Sequence, residues 1–300
     1  MPMIDYDPHD WRSHLWDIKG SMVRELRYRI LLVTLIASAA TFVDELWIPV
    51  HVNPVAHTLI GAFLSLLLVF RTNASYDKFW EGRKQWGTIV NETRNLARKA
   101  ANWMAEDVAL MHRLLRWTAV FPFAVMYVLR GVKTVGPAPL ELPHDEVLAV
   151  DSAPHPALAV ATIMARIIEE ARIRRVITEY QQVSIDNDVQ ILVDAMGACE
   201  RIRKTPIPFA YMVHLRRALI IYLFTLPFAL VEPFGWGTIP ASAIISFILF
   251  GIEEIGVEIE EPFGEDDNDL PLERICETIR TNIDQVGGFV NSTTTMVLKV

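Results

Sequence analysis

The sequence predicts an all-α membrane protein with four transmembrane helices and a helical domain in water. Four apolar runs, residues 30–43, 54–70, 218–231 and 233–252, lie near the lower limit of span length, which is about 20 predominantly apolar residues. Basic residues flank the runs on one consistent side. No alternation of apolar and polar residues is long enough to name a strand.

Residues 1–29 read as a cytoplasmic arm. Its first twenty residues mix Trp, His and Asp with no apolar run behind a basic start, so no signal peptide is expected. Arg24, Arg27 and Arg29 stand directly before the first run. That run reaches span length with Tyr28 and Trp47 as interfacial aromatics. A buried core helix is the plainer alternative, and repetition of the pattern weighs against it.

The stretch 54–87 organises the chain. It carries no formal charge from Pro54 to Phe70, then brings Arg71, Asp77, Lys78, Glu81, Arg83 and Lys84 among Phe79, Trp80 and Trp86. Pro54 stands at the start, where proline is tolerated, and no other proline follows before Pro122. One long helix is expected, leaving an apolar phase at Phe70 and continuing into water. Residues 30–80 form the first transmembrane hairpin, its second helix lining the pore implied below.

Residues 81–215 read as a helical cytoplasmic domain. Residues 111–128 are apolar enough to raise a fifth span. His112, Arg113 and Arg116 enter that run and Pro122 interrupts it, so a core helix is expected instead. Residues 135–156 hold five prolines and read as a loop. Helical spacing returns over 157–203, with Ile163, Ile167 and Ile168 in one apolar cluster and Val189, Leu192 and Val193 in another.

Residues 216–256 form the second hairpin. The connections within the two hairpins hold only Asp44, Glu45, His51 and Glu232 among titratable groups, whereas Arg216, Arg217 and the earlier basic residues lie on the other side. Both termini are therefore expected in the cytoplasm. Residues 257–300 make an acidic C-terminal segment. Glu254, Glu258 and Glu261 can share a helix face, which for a bare charge run reads as solvated. The turn Gly264-Glu265-Asp266-Asp267-Asn268-Asp269 offers oxygens of the kind hard cations take, without EF-hand spacing. A capping turn rich in Asp and Asn explains it equally.

Composition agrees with a protein part in membrane and part in water. The chain is 52% apolar and 21% charged, against about 45–50% and about 25% for soluble domains. A net charge of −8 without a basic stripe excludes a nucleic-acid partner. Cys199 and Cys276 lie outside any C-x-x-C or zinc spacing and read as reduced, partly buried thiols. A secondary transporter is disfavoured, because no repeat is found and His57 is the one titratable group inside the runs. His57 reads as an interfacial residue near the outer mouth rather than a pH-sensitive pore group. A carboxylate-metal enzyme is also disfavoured. The one Glu-x-x-His spacing, Glu141 to His144, has Pro143 inside it.

Three motifs together resemble the bestrophin family in its bacterial branch. They are FRTNASYDKFWEGRKQWG after the second run, ERIRKTPIPFAY before the third and EEPFGEDDNDLPLERIC after the fourth. Their order and spacing match, and the resemblance covers nearly the whole chain. It implies a homopentameric channel in the cell membrane, passing monovalent ions passively around a central pore, with the lipid bilayer as its surroundings and no enzymatic activity. It places an apolar neck at Ala62, Leu66 and Phe70, where Ala62 is smaller than the family's usual residue. Such a ring gates by dewetting. It places a cytoplasmic aperture at Val183 when counted from Cys199, or at Tyr180 when counted from Pro208. It likens the acidic turn to a calcium clasp. Asp266 and Asp269 would give side-chain oxygens, and Glu258 and Glu261 backbone carbonyls. Glu261 replaces a neutral Asn of the animal pattern, and many bacterial members lack a working site. No cofactor is required by this reading, and calcium is its one candidate ligand. Chloride is the first expectation for the permeant ion and a monovalent cation the alternative. The glutamates below the fourth run would favour cations if they faced the path.

Overall fold

The computed structural model describes residues 23–136 and 142–297. The first 22 residues of the arm, and 137–141 of the proline-rich stretch, lie outside the described residues. Among the described residues all regular elements are helical: α1 (Val23–Leu46), α2 (Pro54–Trp103), α3 (Val108–Leu129), α4 (His144–Asp151), α5 (Pro156–Ile173), α6 (Glu179–Lys204), α7 (Phe209–Phe234), a 3-10 turn (Gly235–Gly237), α8 (Thr238–Glu258) and α9 (Leu272–Val297).

The fold is built along α2. Asn53 caps it by accepting the Val55 N–H at 2.9 Å, and Pro54 follows in the first turn. With no breaker inside, it runs for 50 residues, about 75 Å at 1.5 Å per residue. A hydrocarbon core is about 30 Å thick, so more than half of this helix must stand outside it. Leu64, Leu68, Arg71, Ser75, Gly82, Trp86, Ile89, Thr93 and Ala100 are among its buried residues. At 100° per residue they fall on one stripe from end to end. The same face of α2 therefore serves two different cores.

The first core surrounds the N-terminal half of α2. α1, α7 and α8 bring Leu26, Val33, Leu219, Leu223 and Phe250 against Leu64 and Leu68. Three stretches are long and apolar enough to cross a membrane: Arg24–Leu46, Pro54–Trp103 and Phe209–Glu258. The last bends back at the 3-10 turn, so that α7 and α8 pack on each other. The bend falls a few residues later than the sequence suggests. Pro233 lies inside the last turn of α7, where it removes one backbone bond just before the helix ends. Gly235, at φ +50°, breaks the chain direction, a backbone region that glycine enters without steric cost.

The second core surrounds the C-terminal half of α2. Trp86 and Leu96 pack with Trp117 and Phe121 of α3, Met164 and Ile168 of α5, Leu192 and Cys199 of α6, and Ile279 of α9. α3 is buried almost all round, the mark of a core helix, as His112, Arg113 and Arg116 predict. The expected loop over 135–156 is corrected by α4. Glu146 of that helix accepts from Arg113 and, at 2.9 Å, from the Trp117 indole N–H. Arg113, one of the charges that mark α3 as a core helix, therefore also holds a short helix that its flanking prolines conceal.

α8 and α9 are joined by the acidic turn, which sits on α2. A Cβ at Gly82 would stand 3.0 Å from the Phe263 ring and 3.1 Å from Pro262. Only a glycine lets the turn approach this closely.

Candidate permeation path

The face of α2 opposite the buried stripe carries the residues expected at the neck. Leu66 is 50% exposed and Phe70 57% exposed, against 3% for Leu64 and 1% for Leu68. Ala62 is exposed on the same side. At 100° per residue Leu66 points directly away from the buried stripe, with Ala62 and Phe70 about 40° to either side. An apolar ridge one residue per turn thus faces away from the chain's own core. Asn73 and Asp77 continue it beyond Phe70, both exposed. His57 lies instead in phase with the buried stripe. It stacks on Tyr222, ring centroids 4.8 Å apart, and its Nε2 lies 3.1 Å from the Tyr222 carbonyl oxygen. It belongs to the packing of α2 on α7.

Arg71 departs from its sequence reading. The pattern makes it the first charge in water, yet it is 1% exposed. Its Nη1 donates to the Glu253 carbonyl oxygen at 2.5 Å and lies 3.4 Å from the Glu253 carboxylate. Arg216 Nε donates to the same carboxylate at 2.9 Å. Arg29 Nη1 sits 3.5 Å from it and 2.8 Å from Glu254. Three guanidinium groups from α1, α2 and α7 therefore converge on two adjacent carboxylates of α8. A lone buried charge would be prohibitive, and this cluster satisfies it by pairing. Glu253 is 3% exposed, so it is not an open acidic wall for cations. Sequence reasoning missed the cluster, and the signal available was an arginine in phase with the buried stripe rather than the exposed one.

The expected aperture lies at the start of α6. Thr178 and Gln181 form a reciprocal capping box there, which fixes where the helix begins. Tyr180 is 92% exposed and Val183 69% exposed. α6 lies antiparallel to α2. Lys99 donates to the Ser184 carbonyl at 2.8 Å and to Asp188 at 2.7 Å, placing Val183 beside the far end of α2. Phe70 and Lys99 are about 43 Å apart along that helix. The residues expected at the neck and at the aperture thus lie near opposite ends of the C-terminal half of α2, and among the described residues nothing brings them together.

The four clasp residues share one short segment. Glu258 ends α8 and accepts from Asn268 at 2.6 Å. The Asp266 N–H donates to Asp269 Oδ2 at 2.8 Å. Arg130 donates to the Gly264 carbonyl at 2.9 Å and to Glu273. Among the described residues no three His, Cys, Asp or Glu side chains converge as metal ligands. Calcium takes six to eight oxygens, and this turn does not form a carboxylate cage of that kind. Burial pushes the Asp269 carboxyl up from 3.8 to about 6, with nearby Asp266, Glu261 and Glu258 adding to it and the Asp266 backbone bond opposing. Between these values the folded chain holds a proton that the unfolded chain has released. Stability from this group is full below pH ~4 and lost as pH rises through ~6, on the order of 3 kcal/mol. Asp269→Asn keeps the backbone acceptor and is expected to flatten the melting temperature between pH 4 and 6. An unchanged slope in that variant would place the titration elsewhere.

Both cysteines are buried and free. Burial pushes the Cys199 thiol up to about 12 and the Cys276 thiol up as well, so neither is reactive at neutral pH.

A family model described as Bacterial/Fungal Bestrophin protein matches residues 3–285. The chain belongs to this family. As a bestrophin it is 39% identical to a voltage-dependent anion channel-forming protein of Nostoc sp., over 92% of this chain and 91% of that one. It is 37% identical to a protein of the same description from Synechocystis sp., over 93% and 92%. Its structure is similar to the crystal structure of a bacterial bestrophin homologue from Klebsiella pneumoniae, with a TM-score of 0.82 and 28% identity over 88% of this chain and 98% of that one. The Nostoc and Synechocystis relatives are described as channel-forming proteins, and the apolar helices of this bestrophin mark it as a membrane protein.

Proposed function

We propose that this bestrophin is a passive anion channel, chloride being the first permeant ion, assembled as a homopentamer in the cell membrane. Each subunit crosses the bilayer four times, with α1 and α2 in residues 30–80 and α7 and α8 in 216–256. The arm 1–29, the helical region 81–215 and the C-terminal segment 257–300 are cytoplasmic, as are both termini. Five copies of α2 line the pore, Ala62, Leu66 and Phe70 form the neck, and Val183 forms the cytoplasmic aperture.

The observation that carries this reading is the apolar ridge of α2. A helix that packs on its own chain along one stripe and presents leucine and phenylalanine on the other needs something to face. The anion-channel descriptions of the Nostoc and Synechocystis relatives support the ion choice. So does the pairing of Glu253 and Glu254 with arginines, which removes the nearest acidic groups from service to cations. A cation-conducting form of the same channel has one observation in its favour. Asp77 is exposed two turns beyond Phe70 on the same face, with no ion pair among the described residues.

No cofactor is needed for conduction, and the acidic turn works as a latch between α8 and α2. The purified protein in planar bilayers under asymmetric KCl is expected to reverse near the chloride potential, with and without a calcium chelator. Reversal near the potassium potential establishes the cation reading. Current lost in chelator returns a metal to the turn.

A further inference from the structure

Beside the arginine cluster lies a cavity of about 320 Å³ between α1, α7 and α8. Its floor is charged and its walls are apolar. Arg29 and Arg216 stand on either side of Glu253, while Leu32, Ile220, Phe224 and Phe250 complete the lining. Leu32 is 46% exposed and Ile220 44% exposed, so the mouth opens through the apolar surface of the bundle. Tyr28, 68% exposed, sits just before Arg29, the position of an aromatic at the level of lipid headgroups.

Arg29, Arg71 and Arg216 meet the two carboxylates of Glu253 and Glu254, and Glu260 acts on Arg71 at longer range. The two outer arginines keep donors to spare. Arg216 commits its Nε to Glu253, leaving its terminal nitrogens as donors, and an arginine carries five N–H groups in a fork that suits a phosphate. Arg29 contacts its carboxylates through Nη1 alone. Both side chains remain about half exposed, at 45% and 51%. A site with two half-exposed arginines at its charged end and apolar walls leading away from them is complementary to one class of molecule abundant at that depth.

We propose that this cavity binds an anionic phospholipid of the cytoplasmic leaflet, the phosphodiester on Arg29 and Arg216 and an acyl chain along Leu32, Ile220 and Phe224. The proposal rests on the membrane placement of α1, α7 and α8 given above, and not on which ion permeates. Basic pockets between spans on the cytoplasmic side are suited to such headgroups. The lipid phosphate takes the spare donors of Arg29 and Arg216 and ties α1 to α7 at the inner end of the bundle.

The test compares retention of phosphatidylglycerol and phosphatidylcholine by the purified full-length channel, measured by native mass spectrometry after exchange into mixed vesicles. Wild type is expected to retain phosphatidylglycerol at least about tenfold more tightly, the scale that two basic residues give. Arg216→Gln is expected to lose that preference. Because Arg216 also pairs with Glu253, a second variant is needed that leaves the cluster intact. Ile220→Trp fills the cavity with an apolar side chain, and is expected to expel the lipid while the number of subunits in the assembly is unchanged. Equal retention of the two lipids by wild type overturns the site. So does unchanged phosphatidylglycerol retention in Ile220→Trp, or disassembly of that variant, which would mean that a second copy of the chain covers the cavity. Chloride flux is recorded in parallel. No lipid preference in wild type with flux intact overturns the site alone, whereas absent wild-type flux counts against the channel.

Discussion

Glu253→Gln is expected to cost about 3–5 kcal/mol of stability, the scale for removing one partner of a buried ion pair. The carboxylate is 3% exposed and Arg71 1% exposed. Without its charge, three guanidinium groups crowd the inner end of the bundle against Glu254 alone. Arg71 has little to fall back on. Its Nη2 is already buried without a partner, and Nη1 would keep the backbone carbonyl of residue 253 with only a neutral amide oxygen in place of the carboxylate. The measurement is the thermal melting of the detergent-solubilised protein. Arg71→Met is expected to destabilise as well, and the double variant by clearly less than the sum, because each change removes the reason the other is harmful. Strict additivity would mean that the two groups are solvated separately.

Leu66→Ala is expected to raise the current. An apolar ring opposes ions by excluding water, and shortening its side chains widens and wets the constriction. A barrier lowered by about 1.4 kcal/mol raises conductance about tenfold. Ala62 already occupies the outer position of the proposed neck with a methyl group, so the proposal assigns the barrier to Leu66 and Phe70. The control is Leu64→Ala, on the buried stripe, which is expected to lower the melting temperature while leaving conductance per channel unchanged. Equal conductance changes at both positions would remove the distinction between the two faces of α2.

Much of this architecture is legible from one sequence because it depends on local pattern. The continuity of α2 follows from the absence of any proline between Pro54 and Pro122. The reading of α3 as a core helix follows from His112, Arg113 and Arg116 within it, and its burial agrees. The arginine cluster is different. Arg71 and Glu253 are 182 positions apart, and each stands at the end of an apolar run, where a charge ordinarily marks the return to water. Periodicity places Arg71 on the buried stripe, but only the fold supplies its partner. α4 is hidden for a related reason. Its eight residues are too few for periodicity to register among prolines, and the contacts that hold it come from Arg113 and Trp117 on another helix. In the acidic turn, composition alone invites a cation. The structure shows carboxylates and carbonyls engaged by Asn268, Arg130 and the turn's own backbone.

The central claim is that the Leu66 face of α2 lines a water-accessible path. Cys199 and Cys276 are both fully buried, so a single introduced thiol can report without background. Leu66→Cys in the reconstituted channel, treated with a charged thiol-specific reagent during recording, is expected to lose most of its current irreversibly, whereas wild type keeps its own. Current that survives complete labelling of the introduced thiol would contradict the account and move the pore to another face.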